Sequence, residues 1–191
     1  MSEPTKTRRT EPKPWLSAEA LTVDRVREAL EYDPATGIFT WRPRAIESFK
    51  SRHHGKIWNV RYAGKTAGSV DGNGYVSIRI DGGHFKAHRL AWMLTHGVKP
   101  AGEVDHINGV KTDNRICNLR DVPKAVNMQN IRSARSACGL LGVHLHKPLG
   151  KWLAQISIGG VKKHIGVFAT PEEAHAAYVA AKRQYHEGCT L

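Results

Sequence analysis

The sequence predicts an α+β protein: a strand–strand–helix finger in the middle of the chain and, separate from it, a three-stranded antiparallel sheet with one packed helix. Three observations carry that reading. Short alternating apolar runs lie between glycine turns at residues 74–87 and 142–168. The last helix has complete end signals, with Thr170 as N-cap, Pro171 at its first position, Glu173 closing a capping box and Gly188 after its end. Between these regions, a strand carrying Asp105-His106 is followed by a second strand and then by a helix opened at Pro123.

Taken in order, residues 1–14 hold Pro, Thr, Lys and Arg without apolar periodicity and read as a disordered basic tail. Residues 15–73 form a cap. In it Val23, Val26 and Leu30 share a helical face, DPATG (Asp33 to Gly37) ends that helix in a turn, and Ile38 to Trp41 is a short strand. The stretch RPRAIESFKSRHHGKIWNVR interleaves cations with Phe49 and Trp58 and shows no periodicity; His53 and His54 are expected at its surface. Residues 74–131 begin with a strand from Gly74 to Ile80, a turn at Gly82-Gly83 and a return through Phe85-Lys86-Ala87. A helix from His88 to His96 follows, with Leu90, Met93 and Leu94 facing the hairpin, Trp92 alongside and Gly97 as its stop. His88 itself suits a structural hydrogen bond better than ligation. Strands are then expected at Glu103 to Ile107 and Leu119 to Val122, around a polar loop with Asn108-Gly109.

RSARSACG, residues 132–139, has no apolar face and reads as a basic linker. Residues 140–191 give strands at Gly142 to His146, Lys151 to Ile158 and Lys162 to Phe168, with turns at Lys147 to Gly150 and Gly159-Gly160. The small inner face of the final helix, Ala174, Ala177, Tyr178 and Ala181, lets it lie close across the sheet.

The chain has 191 residues and a formal net charge of +12, from 29 Lys and Arg against 17 Asp and Glu. Such a potential attracts polyanions, nucleic acid first among them. No apolar run approaches the roughly 18 residues of a membrane span, and the polar N-terminus does not suit a signal peptide, so a soluble intracellular protein is expected. Cys117, Cys138 and Cys189 form no C-x-x-C pair, which argues against a disulfide framework and against structural zinc. No obligate protein partner is evident.

The chemistry concentrates in VDHINGVKTDNRICNLRDVPKAVNMQN, Val104 to Asn130. Breaking a phosphodiester needs a base to deprotonate water and positive charge to stabilise the phosphorane and the departing 3′ oxygen. Neutral His106 suits the first need. A divalent cation on Asp105 and the side-chain oxygen of Asn127 suits the second, and hard oxygen ligands favour Mg²⁺, with Mn²⁺ as the other choice. The same Asp and Asn residues also suit turns, which is their commonest use in loops.

The segment resembles the HNH endonucleases of the ββα-metal, or His-Me finger, superfamily, especially the zinc-free phage and mobile-intron members. The matching residues are GYVSIRI from Gly74, HRLAW at His88 to Trp92, VDHING, DNR at Asp113 to Arg115 and NLR at Asn118 to Arg120. YDPATGIFTW and NVRYAGKTAG resemble the leading part of phage members. The resemblance implies His106 as general base, Asp105 and Asn127 as metal ligands and Asn118 as holder of the loop that orients the histidine. Asn130 is a supporting candidate on the same helix as Asn127. The third letter of the motif is Asn here, an accepted substitution among intron-encoded relatives.

Residues 140–191 resemble the plant Apetala-two, or ethylene-response-factor, DNA-binding domain, through Gly142-Val143, KWxAxI from Lys151, Gly166 to Phe168 and TxEEAxxAY from Thr170. That family places its sheet in the DNA major groove. By position, His144, His146, Lys147, Lys151, Trp152, Gln155, Lys162 and Lys163 would face DNA, with Arg132 and Arg135 of the linker as further contacts. Histidines stand where the plant domain has first-strand arginines, so bidentate guanine readout is not implied. The expected function is therefore a metal-dependent, homing-endonuclease-like enzyme that nicks or cleaves duplex DNA, in a bacterial cytoplasm if phage-encoded. The alternatives are a noncatalytic DNA-binding regulator with a vestigial finger and, on charge and tryptophans alone, an RNA-binding protein.

Overall fold

The structure is a computed structural model that describes residues 17–131, 134 and 138–191. The expected basic tail, and Arg132 and Arg135 of the linker, lie outside those residues. The architecture is α+β, built from small antiparallel sheets and short helices.

Helix α1, Val23–Ala29, starts where the Thr22 hydroxyl accepts the Arg25 N–H at 3.1 Å. Leu30 does not continue it: its backbone is extended, and it opens strand β1, Leu30–Asp33, which pairs with β2, Ile38–Trp41. The expected helix end at DPATG is thus a hairpin turn, held by the Asp33 carboxylate accepting the Ala35 N–H at 2.9 Å. Helix α2, Arg52–Tyr62, carries no periodic signal, because its apolar residues form no stripe: Ile57 and Val60 are exposed and only Gly55 is buried. It is fixed instead by its Ser51 cap, by Trp58 against Trp41 and Phe49, and by reciprocal 2.9 Å hydrogen bonds between the Asn59 amide and the Arg44 backbone. His53 and His54 are exposed on it.

Strands β3, Ser69–Val70, β4, Val76–Ile80, and β5, Gly83–Lys86, form one sheet. The turn between the last two is Asp81-Gly82, both with positive φ, one residue earlier than the expected Gly82-Gly83. This two-residue geometry matches the twist of the strands, and Gly83 already pairs with Ile80. Ala87, expected in the return strand, opens α3, Ala87–His96. That helix buries Leu90 and Met93 and ends on left-handed Gly97.

Strand β6, Glu103–His106, pairs antiparallel with β7, Leu119–Val122, and α4, Lys124–Gln129, completes the finger. Pro123 is the N-cap of α4 rather than its first helical residue. One hydrophobic cluster joins cap and finger, since Val26, Leu30 and Phe39 pack in it with Ile78, Leu90, Val104 and Leu119.

The C-terminal module orders its strands β10, Val161–Phe168, β9, Lys151–Ile158, and β8, Val143–His146, with α5, Pro171–Tyr185, across them. Its core is separate: Val143, Ala154 and Ala174 are fully buried there. The Thr170–Glu173 capping box is formed in both directions. Among the described residues, no helix is long and apolar enough to cross a membrane.

Candidate active site on the finger

Alternation along β6 sends Val104 and His106 inward and leaves Glu103 and Asp105 half-buried on the other face. The β6–β7 register sets Asp105 opposite Arg120, whose Nε and Nη2 donate to Asp105 Oδ2 at 3.1 and 2.8 Å. Asn130, buried at the end of α4, donates its Nδ2 to the same Oδ2 at 2.9 Å and to the His106 carbonyl at 3.2 Å. Among the described residues, the hydrogen bonds given to this carboxylate end on Oδ2. They fix its orientation.

His106 is 4% exposed. Its Nε2 lies 3.2 Å from Asn114 Oδ1, while Asn114 Nδ2 donates to the Thr112 carbonyl. An amide oxygen only accepts, so Nε2 carries the proton and the neutral ring presents its lone pair at Nδ1. Burial holds the imidazole below the ordinary histidine pKa, with the Asn114 hydrogen bond and the Asp105 charge working against that shift. The Tyr75 and His88 rings stand beside it, at 6.0 and 4.9 Å between centroids. His88 accordingly serves in packing, and its pKa is pushed down by burial to about 3.

The loop between β6 and β7 is laced by Asn118, whose Oδ1 accepts the Asn108 N–H at 2.9 Å and whose Nδ2 donates to the Asp113 carbonyl at 2.8 Å. Asp113 in turn holds Arg115 and the Asn108 amide, and these contacts keep its carboxyl down at about 2. Tyr32 of the cap donates to the Asn114 carbonyl at 2.8 Å. The partner of the histidine is therefore tied to two separate elements.

Asn127, on α4, donates its Nδ2 to the Glu103 carboxylate, which leaves its oxygen as the end available for a ligand. By type, the Asp105 carboxylate and the Asn127 amide oxygen are hard donors of the kind that suit a small divalent cation with further waters. Among the described residues no group of three His, Cys, Asp or Glu side chains could by itself hold a metal. An amide ligand and a single carboxylate would not form such a group.

Asp105, His106, Asn118 and Asn130 come together around one end of β6, whereas Asn127 contacts Glu103 at the strand's other end. Sequence reasoning missed Glu103, Arg120, Tyr75 and the role of Asn114. The two-residue period of a strand, applied to β6, would have paired Glu103 with Asp105; Arg120 required the register.

In the C-terminal module, the register puts His144, His146, Lys151, Gln155 and Lys162 on the face away from α5, with Lys147 exposed in the following turn. Trp152 and Lys163 depart from the expected DNA-facing set. Trp152 packs on the core beside Phe168, and Lys163 pairs with Ile156 and lies 5.5 Å from the Tyr185 ring of α5. The reason is strand alternation, which sends both toward the helix.

Residues 85–129 match a family model described as HNH endonuclease. Among solved structures, the chain is similar to the one titled "DNA binding and cleavage by the HNH homing endonuclease I-HmuI", at 21% identity and a TM-score of 0.39, covering 88% of this chain and 93% of that chain. No match was found among curated proteins. In the stretch that carries Asp105, His106 and Asn127, the chain is thus similar to the HNH endonucleases.

Proposed function

We propose that the chain is a metal-dependent endonuclease that hydrolyses phosphodiester bonds in duplex DNA. The observation that supports this most is the shaping of Asp105 and His106: a carboxylate with one oxygen held by three donors, beside an imidazole whose Nε2 is occupied by an amide oxygen. Such a histidine offers Nδ1 to take a proton from water, and its lowered pKa keeps it unprotonated at neutral pH. Asp105 and Asn127 would hold a divalent cation, Mg²⁺ first, which when bound supplies positive charge against the phosphorane and the departing 3′ oxygen. Asn118 keeps the loop closed around the base, and Asn130 keeps the strand end in place. The open sheet face with His144, His146, Lys151 and Lys162 suits contact with duplex DNA, the lysines on phosphates.

The test is nicking of supercoiled plasmid by the parent and by His106→Ala, with Mg²⁺ and with a chelator, alongside duplex binding by gel shift. Cleavage only by the parent with metal, and equal binding by both proteins, is the expected result. An alanine variant that cuts as well as the parent removes His106 from the chemistry, and a parent that binds without cutting leaves a DNA-binding regulator.

A further inference from the structure

The segment after α5 touches its own sheet through His186 and the Ser157 carbonyl, and then reaches beyond it. Gly188 accepts the Arg120 Nη2 at its carbonyl, at 2.8 Å, and donates its N–H to Gln129 Oε1 at 2.9 Å. The Thr190 hydroxyl donates to Asn130 Oδ1. Gly188 is buried, and a Cβ built on it would meet the Val126 carbonyl oxygen of α4 at 2.1 Å. Only glycine lets this backbone lie so close to the finger helix.

Two of the side chains the segment touches, Arg120 and Asn130, are the two that hold Asp105 Oδ2. The Arg120 Nη2 is shared between the Asp105 carboxylate and the Gly188 carbonyl. Asn130 uses its donor end on Asp105 and the His106 carbonyl and its acceptor end on Thr190. Without the hydroxyl, the amide is anchored at one end only. Residues that belong by sequence to the C-terminal module therefore complete the ring of contacts around the carboxylate of the finger.

We infer that Gly188 and Thr190 are positioning residues for Asp105, acting through Arg120 and Asn130, so that the C-terminal module tunes the metal site itself and does more than bring DNA to it. This rests on the nuclease reading given above. Loss of a group bonded directly to a metal ligand, as Arg120 and Asn130 are to Asp105, typically changes metal affinity or activity by about 10–100-fold, and Gly188 and Thr190 act one step further out, toward the lower end of that range.

Full-length Gly188→Ala, Thr190→Val and Thr190→Ser are compared with the parent in three measurements: kcat and KM for nicking, duplex affinity without metal, and Mn²⁺ affinity by electron paramagnetic resonance without DNA. Gly188→Ala and Thr190→Val should each lower kcat and weaken Mn²⁺ binding by roughly tenfold, with DNA affinity within about twofold of the parent. Thr190→Ser, which keeps the hydroxyl, should restore both. Loss of DNA affinity with kcat kept would overturn the inference, because the segment would then serve the binding face alone. Unchanged kcat and Mn²⁺ affinity would overturn it too, as would loss in Thr190→Ser equal to that in Thr190→Val. If the parent does not nick, the nuclease reading fails, and the Mn²⁺ titration still decides the positioning role; a parent that neither nicks nor binds Mn²⁺ overturns both.

Discussion

His88, packed beside His106, makes the fold sensitive to acid. His88 is buried on α3, its ring 5.2 Å from Tyr75 and 4.9 Å from His106, and its Nδ1 has no hydrogen-bond partner among the described residues. Burial, and then the neighbouring His106, Arg89 and Lys86, push its pKa from 6.5 to about 3. The folded state binds this proton more weakly than the unfolded chain does. The stability it contributes is complete above about pH 6.5 and is lost as pH falls toward 3. Between pH 7 and pH 5, proton uptake on unfolding lowers stability by about 2 kcal/mol. His88→Phe keeps an aromatic ring against Tyr75 and His106 and removes the titration. Urea unfolding followed by tryptophan fluorescence at both pH values should show the parent losing about 2 kcal/mol more than the variant over that interval. Equal losses in parent and variant would refute the argument, because His88 would then take up its proton as readily folded as unfolded.

Three further outcomes follow from particular contacts. The acid limb of the nicking rate should have its midpoint below 6.5, since burial lowers His106; a midpoint above 6.5 in a pH–rate profile would contradict that. Gly37→Ala should destabilise the protein by at least about 1 kcal/mol and slow nicking, because φ there is +75° and a Cβ would sit 2.6 Å from the Asn114 carbonyl carbon; thermal unfolding and single-turnover kinetics read both effects. Lys151→Ala and Lys162→Ala should each reduce the slope of log binding constant against log salt by about 0.9, and unchanged slopes would remove the open sheet face from the DNA contact.

Elements whose signals are local were legible. The strand at Ile38 to Trp41, the finger strands and the capped final helix all announce themselves in the residues that form them. Helix α2 was not legible, because Trp58 and Asn59 fix it through distant partners and no apolar stripe marks it. At the site, Asp105, His106, Asn118 and Asn127 stand out by type and spacing. Arg120 does not, because a basic residue in a basic chain becomes special only when the strand register sets it against a carboxylate. Asn114 reads as one turn former among several until its oxygen is found on the imidazole. Gly188 looked like a helix stop, whereas its missing side chain matters at α4, some sixty residues earlier.

The single core shared by cap and finger has a consequence for how the protein is made. Its members run from Leu21 to Leu119, so this core can close once Leu119 has left the ribosome. Gly188 and Thr190 are synthesised later, by several seconds at about 5–20 residues per second. A nascent chain can thus have its hydrophobic body folded while the ring of contacts around Asp105 is still open.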